Sequence, residues 1–131
     1  MNILCADDDP WIGAFYQQIL AKLADETRHL TQAVDYFVCS ITHGQAAWEL
    51  LSSDLDRFDV VIIDQVMPGL TGTQLAVKLR AIRSDCKVLL VSGYSETLAA
   101  GSGLDETIHY LQKPFTPEQL SRTVRGILTA A

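Results

Sequence analysis

The stretch DVVIIDQVMPGLTG, residues 59–72, decides how this chain is read. Val60 to Ile63 form an unbroken β-branched run that stops on a carboxylate, Asp64. Pro68 and Gly69 then mark a short loop, and a helical pattern opens at Gly72. Such a run, bounded by turn residues, predicts a strand buried on both faces, as in a parallel sheet. A carboxylate at the C-terminal edge of that strand sits where open α/β sheets place their ligands.

The same pattern recurs outward from this stretch. Asn2 to Ala6 predict a first strand that runs into Asp7, Asp8 and Asp9. Pro10 suits the first turn of the helix that follows, with Asp9 as its N-cap. Ile12, Phe15, Ile19 and Leu23 fall on one helical face, which Leu30 and Val34 can extend; the spacing leaves open whether the helix continues past Ala24. Tyr36 to Ile41 predict the second strand, and Gly44 to Leu51 the second helix, with Ala47, Leu50 and Leu51 inward. Gly72 to Arg83 predict the third helix, with Leu75, Leu79 and Ile82 on one face. Lys87 to Ser92 predict the fourth strand. Gly93 to Gly103 are rich in Gly and Ser, and only Ser95 to Ala100 suggest a short helical piece there. Ile108 to Gln112 predict the fifth strand, ending on Lys113 and Pro114. Thr116 and Pro117 open the last helix, with Leu120, Val124, Ile127 and Leu128 in its stripe. Five β-α alternations predict a doubly wound α/β domain with a five-stranded parallel sheet.

Composition narrows the function. At 131 residues and 48% hydrophobic, the chain predicts one domain, residues 1–131, with a real core. A formal net charge of −6 argues against a nucleic-acid footprint. No apolar run approaches the roughly 18 residues of a membrane helix. The opening MNILCADDD turns acidic too soon for a secretory signal. Cys5, Cys39 and Cys86 are odd in number and lack C-x-x-C spacing. They read as buried free thiols of a cytoplasmic protein.

In a parallel sheet all C-terminal strand ends share one edge. Asp7 to Asp9, Asp64, Ser92 and Lys113 can therefore converge. Carboxylates held close repel one another and call for a cation. A hard divalent ion with oxygen ligands, Mg²⁺, suits one or two carboxylates, water and a phosphate. Asp64 is then the candidate nucleophile for a phosphoryl group, with Lys113 and Ser92 on its oxygens.

These residues are similar to those of the response-regulator receiver domains of two-component signalling. The likeness is carried by Asp7 and Asp8, by Asp64 in D-x-x-M-P-x-x-x-G with Met67, Pro68 and Gly72, by Ser92, by Lys113 with Pro114, and by Tyr110. It implies a flavodoxin-like (βα)5 fold with strand order 2-1-3-4-5. It implies that Asp64 takes a phosphoryl group from the phosphohistidine of a sensor histidine kinase or phosphotransfer domain. Catalysis would be limited to self-phosphorylation and self-dephosphorylation, so the chain is not an enzyme with turnover. Mg²⁺ would be held by Asp7, Asp8, Asp64 and the backbone carbonyl of Val66. Ser92 and Tyr110 would switch, and the face of the fourth helix, fifth strand and fifth helix would signal to a downstream protein. The Lys113–Pro114 bond would be cis. Val66 and Tyr94 occupy positions at which the family tunes phosphoryl lifetime; their side chains predict slow self-dephosphorylation. The switch hydroxyl is a serine where threonine is more frequent. The segment 24–35 looks longer than a typical connection.

Other readings attach to the same residues. Asp7 and Asp9 match the D-x-D spacing of haloacid-dehalogenase-like phosphatases, although the late strand ends on a lysine rather than on acids. A non-phosphorylated interaction scaffold with this fold is the other alternative. His29, His43 and His109 lack ligand spacing and read as surface or locally hydrogen-bonded residues. LLVSGYSE and YLQKPFTPEQLSRTVRGIL resemble the C-terminal receivers of hybrid histidine kinases. The last two helices are suited to a weak homodimer.

Overall fold

The structure, a computed structural model, describes residues 2–27, 37–54, 56–83, 85–93 and 108–129. The described strands are β1 (Asn2–Ala6), β2 (Phe37–Ile41), β3 (Val60–Asp64), β4 (Lys87–Ser92) and β5 (Ile108–Gln112). The described helices are α1 (Pro10–Thr27), α2 (Gly44–Ser53), α3 (Gly72–Ile82) and α4 (Pro117–Thr129). The predicted helical piece at Ser95–Ala100 lies outside the described residues, as do residues 28–36 of the connection to β2.

The sheet has the order β2-β1-β3-β4-β5, and every neighbouring pair is parallel. Side chains alternate between its two faces. Ile3, Cys5, Val60, Ile62, Leu89 and Val91 pack with Tyr16, Ile19 and Leu20 of α1 and with Leu120, Val124 and Ile127 of α4. Leu4, Ala6, Val61, Ile63, Val88 and Leu90 pack with Ala47 and Leu51 of α2 and with Leu75, Ala76 and Leu79 of α3. With helices covering both sides, the three central strands have almost no polar position, which is why they read as continuous apolar runs.

Two stripes differ from expectation. Helix α1 runs on to Thr27, and its most buried residues are Tyr16 and Leu20 rather than Ile12 and Phe15, which are half-buried. The helix carries apolar residues on two adjoining faces, and the one on the sheet is rotated by about one position. On α3, Ile82 is 44% exposed, because the helix ends there and its last turn passes the edge of the core.

The helix that follows the decisive stretch starts with a capping box. Thr71 Oγ1 accepts from the Gln74 N–H at 3.1 Å, and Gln74 Oε1 accepts from the Thr71 N–H at 3.0 Å. Thr71→Ala frees the Gln74 N–H at the start of α3. It is expected to lower unfolding free energy by about 1 kcal/mol in a urea titration, without changing the slope. Thr116 and Gln119 repeat the device at the start of α4.

Candidate functional site

The C-terminal ends of β1, β3, β4 and β5 come together at one edge. Asp64, the last residue of β3, pairs in register with Val91 and is 3% exposed. Asp7 follows β1 and is 5% exposed; its N–H donates to the Ile41 carbonyl at 3.0 Å, tying the end of β1 to that of β2. Asp8 is exposed. Asp7, Asp8 and Asp64 each offer a carboxylate oxygen, and these oxygens lie within 4.8 Å of one another. Asp9 stands outside this cluster. It precedes α1, and its N–H donates to Asp7 Oδ1 at 3.0 Å.

Lys113 approaches from β5. Its Nζ sits 2.8 Å from Asp64 Oδ1, and its N–H donates to the Ser92 carbonyl at 2.9 Å. The Lys113–Pro114 peptide is cis, as expected. Ser92 ends β4 and is buried. Tyr110 lies on β5 and is 40% exposed, so it is not a core residue. Val66 is exposed by side chain. Tyr94 lies outside the described residues.

The loop from Asp64 to α3 is built for close approach. Gly69 has φ +87°, in the left-handed region, and a Cβ there would meet His43 Cε1 at 2.4 Å. His43 caps α2, its Nδ1 accepting from the Gln45 N–H at 3.2 Å. The Gly44 N–H donates to the Pro68 carbonyl at 2.9 Å, so α2 and this loop hold each other. Gln65, which the sequence reading passed over, bonds the start of α3 through its side chain.

Burial pushes the Asp7 carboxyl up to about 6, and the charge of Asp64 adds to the rise, against the Asp9 N–H and Lys113. Burial also raises Asp64, outweighing the bond from Lys113. The cluster is thus a group of hard oxygen donors whose charge is under-compensated, and such a set fits a divalent cation. Between the ordinary carboxyl value and about 6, the folded chain holds more protons at Asp7 than the unfolded chain does. This contribution to stability falls as pH rises through that window. In EDTA, Asp7→Asn is therefore expected to raise the melting temperature by a few degrees at pH 7.5 and to change it little at pH 4. A gain of equal size at both pH values, measured by calorimetry, would contradict this origin.

The family model described as Response regulator receiver domain matches residues 3–125. The chain belongs to this family, as a receiver domain of two-component response regulators. It is 28% identical to Response regulator RppA of Synechocystis over 97% of its own length and 50% of that protein. It is 35% identical to Sensor kinase CckA of Brucella abortus, over 74% of its own length and 10% of the kinase. The chain thus spans half or less of these two relatives. A response regulator receiver protein from Sinorhizobium medicae has a crystal structure that matches with a TM-score of 0.79 at 26% identity, covering 99% of this chain and 95% of that one. The strand order and the five parallel strands are those of the receiver fold. Among the described residues no helix is long and apolar enough to cross a membrane.

Proposed function

We propose that residues 1–131 act as a phosphoacceptor module in which Asp64 takes a phosphoryl group from a phosphohistidine. The observation that carries this reading is the surrounding of Asp64. It is a buried carboxylate with an ammonium 2.8 Å from one oxygen and two further carboxylates within 4.8 Å. An Asp64 oxygen forms the new P–O bond as the P–N bond of the donor breaks, and the donor imidazole keeps that electron pair. Lys113 neutralises charge on the phosphoryl oxygens, and the Ser92 hydroxyl donates to another. Asp7, Asp8, Asp64 and the Val66 carbonyl are the residues that would hold Mg²⁺, which when bound supplies positive charge for the phosphoryl group. The Val66 and Tyr94 side chains limit attacking water, so that the acyl phosphate is long-lived.

Ser92 and Tyr110 then form the switch. The Tyr110 ring, exposed on β5, moves inward once the Ser92 hydroxyl turns to the phosphoryl group. The surface of β5 and α4 carries the change to a downstream protein. The partners are a sensor histidine kinase or its phosphohistidine domain, and the domain works in the cytoplasm. Lys113 also lines a largely apolar cleft of about 530 Å³ with Ile12, Phe15, Tyr16, Pro114 and Phe115, which gives a donor protein a surface beside Asp64. The phosphatase alternative gains no support, since the late strand brings an ammonium, and not an acid, to Asp64.

Intact mass after incubation with acetyl phosphate and Mg²⁺ tests the assignment. A metal-dependent gain of one phosphoryl group, absent in a folded Asp64→Asn chain, is the expected result. No gain from either acetyl phosphate or a phosphohistidine donor, with no Mg²⁺-induced change in amide spectra, would favour the scaffold reading.

A further inference from the structure

The helix beside the nucleophile's loop is capped by a group that takes up protons. His43 precedes α2 with an extended backbone, φ −133° and ψ 130°, and its Nδ1 accepts from the Gln45 N–H at 3.2 Å. Serine, threonine, asparagine or aspartate ordinarily serve such a cap. An imidazole serves it only while Nδ1 keeps its lone pair, with the ring neutral and its proton on Nε2. The same ring lies against the loop between Asp64 and α3. A Cβ on Gly69 would run into Cε1 of the ring and come within 2.9 Å of Nδ1, so a glycine leaves the ring its place. The next residue holds that loop as well. The Gly44 N–H donates to the Pro68 carbonyl at 2.9 Å, and a Cβ on Gly44 would strike the Leu70 carbonyl. Residues 43 and 44 thus fasten the start of α2 to residues 68–70.

We infer that His43 is a proton-sensitive latch on the β3–α3 loop: its neutral ring caps α2 and holds the loop beside Asp64, and uptake of a proton at Nδ1 releases both. The inference rests on the phosphoacceptor reading and adds to it a regulation by pH. Imidazole changes charge between roughly pH 5 and 8. With a proton on Nδ1, the ring N–H and the Gln45 N–H are two donors facing each other, and the cap bond is lost. The imidazolium also stands at the positive end of the α2 dipole, so its charge acts in the same sense. Because the ring fills the space over Gly69, turning it out of the cap disturbs the loop. The charged groups of the surrounding elements are engaged elsewhere. Lys78 of α3 sits over the Trp48 ring, Arg80 bonds the Cys86 carbonyl, and Asp7, Asp8 and Asp64 form the acidic cluster, with the Asp9 N–H on Asp7. Glu49 is the one charged residue of α2 and lies beyond its first turn, which carries no acid; residues 65–71 carry no charge. Among the described residues no carboxylate pairs with the ring to hold an imidazolium in place. His43 is exposed, so the proton comes directly from water. The loop so released carries Val66, whose carbonyl is a proposed cation ligand, and phosphoryl transfer depends on such positioning.

The test uses the full chain with His43→Asn, His43→Asp and His43→Ala, each below its melting transition. Asparagine and aspartate accept the Gln45 N–H without titrating between pH 8 and 5.5, whereas alanine leaves it open. Amide spectra, the His43 ring signal and the exchange protection of the Gln45 amide are followed over that range in EDTA. Labelling by acetyl phosphate with Mg²⁺ is read over the same range as a ratio to His43→Asn. Asp7, Asp64 and His109 are common to all four chains, so the ratio isolates His43. Wild-type Gln45 protection is expected to fall about ten-fold in acid, the scale of one lost helix cap, and the Gly69 amide should shift with the midpoint of the His43 ring. Wild-type labelling should match His43→Asn at pH 8 and fall roughly two- to ten-fold below it at pH 5.5, the upper figure being the whole cap. His43→Ala should show most of the loss of protection already at pH 8. Should His43→Asn not fold, His43→Asp supplies the reference. Gln45 protection that ignores the His43 titration overturns the inference. So do a Gly69 amide and a labelling ratio that stay flat while Gln45 responds, which leaves His43 a local cap. A wild-type chain that takes no phosphoryl group at pH 8, while its Gly69 amide follows the His43 ring and that of His43→Asn does not titrate there, supports the latch and sinks the phosphoacceptor reading.

Discussion

Lys113→Met is expected to slow acetyl phosphate labelling of Asp64 by about 10²–10³-fold, the range seen when one preorganised charge-stabilising donor is removed. Methionine keeps much of the length of lysine without its charge. Two effects act together. The ammonium 2.8 Å from Asp64 Oδ1 no longer stabilises the transferring oxygens. It also no longer opposes the burial that raises the Asp64 carboxyl, which then rises further. At a given pH a larger share of Asp64 carries a proton and cannot attack. The labelling rate of the variant should therefore keep climbing with pH beyond the point at which the wild type has levelled off. Stability should change far less than rate, because Lys113 is 39% exposed and solvent screens the pair. Rates from pH 5 to 9, together with a denaturant titration, read both effects. Wild-type labelling by Lys113→Met would remove this lysine from the chemistry.

The second large effect concerns Gly72, the glycine that closes the decisive stretch. A Cβ there would lie 2.6 Å from the Asp64 carbonyl oxygen, 2.6 Å from Leu90 Cδ1 and 2.8 Å from Gln65 Cα. Two of the three are backbone and cannot swing aside. Either α3 moves off the sheet or the end of β3 is displaced, and both carry the nucleophile with them. Gly72→Ala is expected to lower unfolding free energy by about 1–3 kcal/mol or more, as overpacking does, and to reduce labelling while the chain is still folded. Gly126 provides the control. It lies within α4, and a Cβ there meets nothing within 4 Å. Gly126→Ala should stabilise by roughly 0.5–1 kcal/mol and leave labelling unchanged. Chemical denaturation of both variants separates the clash from the helix propensity of alanine.

The positions of the strands were legible because a parallel sheet covered by helices on both faces admits few polar residues. β4 and β5 have the predicted bounds, Lys87–Ser92 and Ile108–Gln112, and β3 ends on Asp64 as the abrupt change from isoleucine to carboxylate requires. Charged groups that stop a buried run must reach water or one another, so Asp7, Asp64 and Lys113 stood out as an edge before any distance was known. Helix rotation was less legible. The 3.6-residue period marks an apolar side of α1, but Phe15, Tyr16, Ile19 and Leu20 share that side, and only contact with β1 and α4 selects Tyr16 and Leu20 for full burial. Gln65 left no signal. A glutamine in a loop is ordinary, and its partner is eight residues away across a turn.

By itself, then, the sequence determined which segments form strands, that those strands run parallel, and which carboxylates and lysine stand at their C-terminal ends. These follow from local burial patterns and from the one direction that helical crossovers allow. The tertiary structure alone decided that Lys113 reaches Asp64, that Asp9 stays outside the cluster formed by Asp7, Asp8 and Asp64, and that Tyr110 is turned outward. It also decided that Gln65 bridges two elements. Each of these depends on the register between strands far apart in the chain and on the seating of helices against them, and no local spacing encodes that.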